Sequence, residues 1–483
     1  MTVTNRLNGD VPVLAAEEAA NHVDDTATVL MSGFGSVGYP KAVPQVLSSA
    51  DRDLGLAVVS AGSVGEEIDE SLVESGAIRR RLIYQARPRM RQAINDREIP
   101  FHDGRVFSLG DEVQYGNHVD ADIAIVEAIA AGEDWFIPSM AVGHTPAFVG
   151  TADRVLVEVN SAQPLELQSI HDIYRPGPPP GRDPIPLDHA GGRIGDPKIR
   201  FDAGKLLGVV ETDRPDSPYS FRSPTTVDKR IASNLGDFLL DEVERTAVFD
   251  EQVHLQFGVG SLGNALMGEL SERDFGDRTL VYFGEVIQDG LLEMIADGKL
   301  EAASATSLAL SKTGQQTMFD NANKYTDNIV LRPADISNHP ALINRFGVIA
   351  VNSALEVDIF GNANSSHVKG RKLINGIGGS CDYNGNALLS ICALPSLRAN
   401  GSESRVVPMT LHVDQSEHQI DVIITEHGVA DLRGRSPVER ARRIIDNCAD
   451  PSCRQQLHDL LERGCREGGH IPLDTERALS WMD

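Results

Sequence analysis

Short apolar runs alternate with polar, helix-compatible stretches along the chain. The first half has "LGLAVVS" at Leu54–Ser60, "ADIAIVEA" at Ala121–Ala128 and "RVLVEV" at Arg154–Val159; the second has "LVYF" at Leu280–Phe283, "FGVIAVNSA" at Phe346–Ala354 and "DVIIT" at Asp421–Thr425. Uninterrupted runs of this length read as strands covered on both faces, and helices between them predict parallel strands joined by crossovers. The expected fold class is therefore α/β with largely parallel sheets. One helix is legible in detail: Val227, Ile231, Leu235, Phe238, Leu239 and Val243 fall on a single face. Ser436, Pro437 and Glu439 form a capping box with proline at the first helical position, and a further helix starts at Asp450.

The pattern also repeats. "TVLMSGFGSVGYPKAV", from Thr28, and "VHLQFGVGSLGNAL", from Val253, both read as apolar strand, glycine turn and helix start. Two related halves follow from this. "YRPGPPPGRDPIP", Tyr174–Pro186, is too rich in proline for helix or central strand and reads as an extended surface excursion. A second proline-broken stretch, Thr212–Thr226, precedes the amphipathic helix and puts the expected junction near residue 220, giving domains 1–220 and 221–483.

Composition narrows the function classes. With 483 residues and 41% hydrophobic content the chain can bury more than one core, and no run approaches the length of a membrane span. A formal net charge of −26 opposes binding to nucleic acid or to an anionic membrane, so neither is an expected partner. An anionic ligand needs a local basic patch, and "HVKGRK", with Lys369, Arg371 and Lys372, is the candidate. The opening "MTVTNRLNGD" has neither an apolar signal core nor an Arg-rich amphipathic pattern, which makes the cytoplasm the expected compartment. All five cysteines (381, 392, 448, 453 and 465) lie in the C-terminal part with no C-x-x-C pair, so they read as free thiols, and neither a disulfide framework nor a metal site is expected.

Gly258, Gly260 and Gly263 have the G-x-G-x-x-G spacing of a dinucleotide-binding turn, and Glu285 follows about where such a fold keeps its ribose-binding acid. Against a dehydrogenase stands the first-half copy, Gly33, Gly35 and Gly38, whose next strand ends in Ser60 and Ala61 with no acid. The shared glycines then read as tight turns with uncovered backbone amides. Glu285, at the exit of an apolar segment, is either a working carboxylate or an ordinary capping acid.

Ordered blocks along nearly the whole chain decide between these: "SGFGSVGYPKAVP", "VNSAQPLELQSIHDIY", "GKLLGVVETD", "QFGVGSLGNAL", "GEVIQDG", "LRPADISNHP", "EVDIFGNANSSHVKGRKLINGIGGSCDY" and "TEHGVADLRGRSP" among them. By these the chain resembles the acetyl-CoA hydrolase/transferase family, in its succinyl-CoA:acetate CoA-transferase branch. The resemblance implies two related CoA-transferase-type α/β domains with the active site at their interface. It also implies a homodimer, acyl-CoA and small carboxylic acids as partners, and coenzyme A as substrate with no prosthetic group and no metal.

The resemblance makes Glu285 the nucleophile, with an acyl-glutamyl anhydride and a glutamyl-CoA thioester as intermediates. It puts oxyanion-stabilising backbone amides at Val259 and Gly260 and at Gly378 and Gly379. It makes Asn338 the group that orients Glu285, and Glu426 a second active-site carboxylate; the residues alone leave Asn338 as a turn residue and Glu426 as a helix-capping acid. CoA is expected along Gly258, Gly376 and the bases Lys369, Arg371 and Lys372. Cys381 and Tyr383 depart from the family pattern beside those glycines. His144 and His171 fall in matching blocks as structural or substrate-contact residues. Acetyl-CoA hydrolysis is the alternative activity; an NAD(P)-dependent dehydrogenase and a non-catalytic acyl-CoA binder are more distant ones.

Overall fold

The first sheet is assembled from β1 (Thr28–Met31), β2 (Leu56–Ser60), β3 (Ile78–Leu82), β4 (Phe101–His102), β5 (Ile123–Ala131), β6 (Trp135–Pro138), β7 (Arg154–Asn160), β8 (Ile199–Arg200) and β9 (Leu206–Thr212). The computed structural model describes residues 3–116, 119–218, 222–398, 401 and 403–481. Strands β4-β3-β2-β1-β5-β7-β9 run parallel in that order, and β6 turns back antiparallel along the end of β5 and pairs with β8. The whole of β5, "IAIVEAIAA", is buried, as a central strand with both faces covered must be. The α/β class with largely parallel sheets is borne out.

The polar exception in β5 is Glu127. Its carboxylate bonds to the ammonium of Lys41, which also lies 2.8 Å from Asp216, and all three side chains are fully buried. Burial opposes charge on Lys41, but Asp216 and Glu127 outweigh it and hold its pKa up. Glu158 on β7 accepts the backbone N–H groups of Lys41, Ala42 and Val43 at 2.7, 2.9 and 2.7 Å, capping the helix Ala42–Ser48. That helix therefore starts beyond Pro40 and not directly at the glycine turn. In the second-half copy Gly260 is itself the N-cap of the helix Ser261–Ser271. The two copies share strand and turn, and differ in how the helix is launched.

The chain falls into two compact units, Met1–Ser220 with Val281–Leu342, and Phe221–Leu280 with Ile343–Asp483. The junction expected near residue 220 falls on residues 219–221, which lie outside the described residues. Sequence order kept the segment 281–342, and Glu285 with it, in the second domain; tertiary bonds group it with the first unit. Val142 N–H donates to Thr306 O at 2.9 Å, Asp172 N–H to Leu331 O at 2.9 Å, and Ala334 N–H to Gly143 O at 2.8 Å. The guanidinium of Arg332 also pairs with Asp172, both buried. Within the segment, Thr279–Phe283, Ala302–Ala305 and Ile329–Leu331 are parallel neighbours, and Val286–Ile287 pairs with Ser307–Leu308.

In the second unit, Gln252–Phe257, Ile349–Asn352, Leu389–Ala393 and Val422–Thr425 form a parallel sheet, and Gly428–Asp431 adds an antiparallel edge. The helix Thr226–Arg245 buries Ile231, Leu235, Leu239 and Val243, one residue per turn along a single stripe. Thr225 and Asp228 cap its start reciprocally. The expected helices at Ser436 and Asp450 form as Pro437–Cys448, with its capping box, and Pro451–Glu467, with Asp450 accepting from Ser452 N–H. Tyr174–Pro186 has neither helix nor strand and is mostly exposed. Among the described residues no helix is long and apolar enough to cross a membrane.

Lys41→Met leaves Glu127 and Asp216 buried without their cation. Chemical denaturation is expected to show the variant destabilised by about 3–5 kcal/mol; a loss under about 1 kcal/mol would show that the ion cluster is not what holds β5, the segment at Lys41 and the segment at Asp216 together.

Candidate active site

Glu285 stands at a jog between two pairs of parallel strands. Strand Thr279–Phe283 ends, Gly284 N–H donates to Ser304 O at 2.9 Å, Thr306 N–H donates to Glu285 O at 3.0 Å, and pairing resumes at Val286–Ile287. Position 284 must be glycine, because a Cβ there would lie 2.2 Å from the Tyr282 ring. The Tyr282 hydroxyl reaches past it to donate to Val286 O at 2.8 Å. The backbone on both sides of Glu285 is thus pinned while its half-buried side chain leaves the strand edge, where parallel α/β sheets carry ligand-handling groups.

The carboxylate has a fixed donor: Asn338 Nδ2 donates to Glu285 Oε2 at 2.8 Å. Asn338 is fully buried, and the Ser337 hydroxyl donates to its Oδ1 at 2.8 Å. With the oxygen engaged by a donor, the amide can turn only its NH2 toward Glu285. A neutral donor thus orients the carboxylate. The helical turn Ala334–Ser337 that carries Asn338 is anchored through Gly143, whose own N–H donates to the Thr306 hydroxyl at 3.0 Å. The first-half glycine turn packs against the same jog, since a Cβ on Gly35 would meet Ala309 at 3.3 Å and Val286 at 3.8 Å.

His144 and His171 belong to this unit's interior. Both are buried; burial pushes His144 down to about 4 and His171 down to about 3. His144 Nε2 bonds to Val106 O at 2.6 Å.

The second unit holds the other sequence-predicted residues. Gly258 N–H donates to Val351 O at 2.9 Å, so this amide is spent on the fold. Val259 is 40% exposed on the turn that follows. Its N–H has no acceptor among the described residues. Gly260 has φ +137° with nothing within 4 Å of where a Cβ would lie, so glycine serves conformation here and not space. A second glycine turn runs through buried Gly376 and Gly378, at φ +63°, to Gly379, which caps the short helix Ser380–Asn384. Neither Gly378 N–H nor Gly379 N–H has an acceptor among the described residues.

Glu426 lies in the tight turn between Val422–Thr425 and Gly428–Asp431, and no helix follows for it to cap. Ser396 holds both its oxygens, donating from N–H at 2.9 Å and from its hydroxyl at 2.7 Å. His427 stands between Glu426 at 3.8 Å and Asp450 at 3.3 Å. Lys369, Arg371 and Lys372 are exposed on the hairpin joining His367–Val368 to Lys372–Leu373. Beside that hairpin's start, Ser366 donates to Asp414 at 2.8 Å, and the His367 ring centroid lies 4.1 Å from that of His412 with the rings tilted by 46°. Ser396 and this Ser366–Asp414 cluster carry no sequence signal. Among the described residues no group of three or more His, Cys, Asp or Glu could hold a metal ion.

Residues 11–192 match the acetyl-CoA hydrolase/transferase N-terminal domain and residues 314–461 the C-terminal domain. The chain is 41% identical to the succinyl-CoA:acetate CoA-transferase of Clostridium kluyveri over 97% of its own length and 88% of that protein. It is 38% identical to the propanoyl-CoA:succinate CoA transferase of Escherichia coli, covering 96% of each. It is also 37% identical to the acetyl-CoA hydrolase of Schizosaccharomyces pombe, over 91% of this chain and 88% of that one. In fold it is similar to RipA of Yersinia pestis, with TM-score 0.73 and 21% identity over 94% of this chain and 97% of that chain. A 4-hydroxybutyrate CoA-transferase of Porphyromonas gingivalis gives TM-score 0.63 at 19% identity, again over 94% and 97%. By both domain matches and by these relatives, the chain belongs to the acetyl-CoA hydrolase/transferase family.

Proposed function

We propose that the protein is a CoA-transferase that moves CoA between succinyl-CoA or acetyl-CoA and a small acid such as acetate, succinate or propionate, with Glu285 as nucleophile. The observation that carries this reading is the Asn338–Glu285 hydrogen bond at a strand-edge jog, a carboxylate held in one orientation by a neutral donor. In the first step a Glu285 oxygen attacks the thioester carbonyl, the C–S bond breaks, and CoA leaves as thiolate from an acyl-glutamyl anhydride. The thiolate then attacks the Glu285 carbonyl carbon, the acyl group leaves as its carboxylate, and a glutamyl-CoA thioester remains. The acceptor acid runs both steps backwards. No proton is gained or lost overall, and the anhydride conserves the thioester's transfer potential without ATP.

A carboxylate is a weak nucleophile, so rate comes from positioning and from donors aimed at each developing oxyanion. The N–H groups of Val259 and Gly260 and of Gly378 and Gly379 take that role. Glu426, oriented by Ser396, is the second carboxylate of the site. Lys369, Arg371 and Lys372 attract the CoA phosphates on an otherwise acidic chain, while Gly258 and Gly376 lie along the bound CoA. The enzyme works as a homodimer in the cytoplasm. Acetyl-CoA hydrolase, the activity named for the S. pombe relative, is the second reading: water in place of the acid would cleave the same adduct.

Glu285→Ala is expected to lower turnover by several orders of magnitude while CoA still binds, measured by thioester exchange and by calorimetry. An alanine variant with appreciable exchange overturns the mechanism.

Asn338→Ala removes one charge-assisted hydrogen bond and is expected to lower kcat roughly 10- to 100-fold with little change in KM. A rise in KM at unchanged kcat would instead make Asn338 a substrate-binding residue.

Succinyl-CoA with labelled acetate should yield labelled acetyl-CoA, and omission of acetate should cut CoA release to a small fraction. Equal release with and without acetate makes the protein a hydrolase.

A further inference from the structure

Behind the two glycine turns of the second unit lies a buried trio of side-chain amides. Gln256 Nε2 donates to Asn352 Oδ1 at 3.2 Å, Asn352 Nδ2 donates back to Gln256 Oε1 at 3.1 Å, and the same Nδ2 donates to Asn384 Oδ1 at 2.8 Å. The three residues are 3%, 6% and 4% exposed. Each end of the trio sits next to one turn. Gln256 is the penultimate residue of the strand Gln252–Phe257, which runs into Gly258–Val259–Gly260. Asn384 closes the helix Ser380–Asn384, whose N-cap is Gly379. Asn352 also presses on the first turn, because a Cβ on Gly258 would meet its Oδ1 at 3.2 Å, and Gly258 N–H bonds to Val351 beside it.

Both N–H bonds of the Asn352 amide are used, one toward each turn, so the two segments cannot shift relative to each other without breaking a buried hydrogen bond. Such a network has one low-energy arrangement, and breaking any member exposes the others to the cost of an unsatisfied buried group. An apolar side chain at the same place would fill the volume but would not fix the register of the turns.

We infer that Asn352 is a positioning residue that sets the backbone amides of Val259–Gly260 and of Gly378–Gly379 at one fixed mutual spacing. This rests on the reading that those amides take the oxyanions in the Glu285 reaction. Asn352 touches no reacting atom; it acts through Gln256 and Asn384. Since the amides serve transition states and not bound substrates, the loss should appear in kcat and leave KM for acyl-CoA and acid where they were.

The test compares Asn352→Leu with the triple variant Gln256→Leu/Asn352→Leu/Asn384→Leu. The single variant strands two buried amides and lowers thermal stability; the triple variant replaces all partners by apolar groups, which restores it. Both are expected to show kcat down by roughly 100-fold with KM within about twofold. Recovery of kcat together with stability in the triple variant would make the trio merely structural and overturn the inference. So would a KM effect at unchanged kcat. If Asn352→Leu does not fold, Gln256→Leu, which frees one end only, carries the same expectation of a kcat loss without a KM change, and a wild-type kcat there overturns it. Glu285→Ala assayed alongside separates the two levels: an active alanine variant removes the underlying mechanism, whereas an inactive one beside a fully active Asn352→Leu removes only the positioning role.

Discussion

The 2.8 Å hydrogen bond from Asn338 to Glu285 depends on a backbone that cannot relax. Gly284 exists because the Tyr282 ring occupies the space of a Cβ, and the Tyr282 hydroxyl and the Thr306 N–H pin the chain on either side. Asn338 is aimed from the other direction by Ser337 and by the turn that leans on Gly143. Loop 140–143, the jog and the Asn338 turn therefore form one hydrogen-bonded body, and the segment 281–342 is drawn into the first unit by the same bonds. The orientation of the Glu285 carboxylate is a property of that assembly more than of the glutamate.

The second unit solves a different problem. Among the described residues the N–H groups of Val259, Gly378 and Gly379 have no protein acceptor, so one must come from solvent or a ligand. Gly260 and Gly378 adopt positive φ values in these turns, and the Gln256–Asn352–Asn384 trio links the segments behind them by buried hydrogen bonds. Preorganised dipoles of this kind cost little reorganisation when charge develops. Glu426 follows the same logic, both its oxygens held by one serine.

Much of the fold was legible because it is written in local pattern. The apolar runs at 121–128 and 154–159 became β5 and β7, and the stripe from Ile231 to Val243 became a buried helix face. The grouping of 281–342 was not legible, since it rests on contacts such as Arg332 with Asp172, far apart in the chain. How the helix at Ala42 is launched was not legible for the same reason: its cap, Glu158, comes from a distant strand. In the site, residue type and spacing left Glu285, Asn338 and Glu426 ambiguous, and only the resemblance assigned them roles. Ser396 and Asn352 escaped both readings. A serine in a loop and an asparagine at a strand end look like ordinary boundary residues until the structure shows what they hold.

The central claim is that Glu285 carries CoA covalently. The most direct measurement is intact-mass and peptide mass spectrometry of the protein mixed with succinyl-CoA in the absence of acceptor acid. The account predicts a CoA adduct on the peptide containing Glu285, lost on adding acetate and converted to an alcohol by borohydride. Turnover of the thioester with no adduct at Glu285, or with the adduct on another residue, would contradict it.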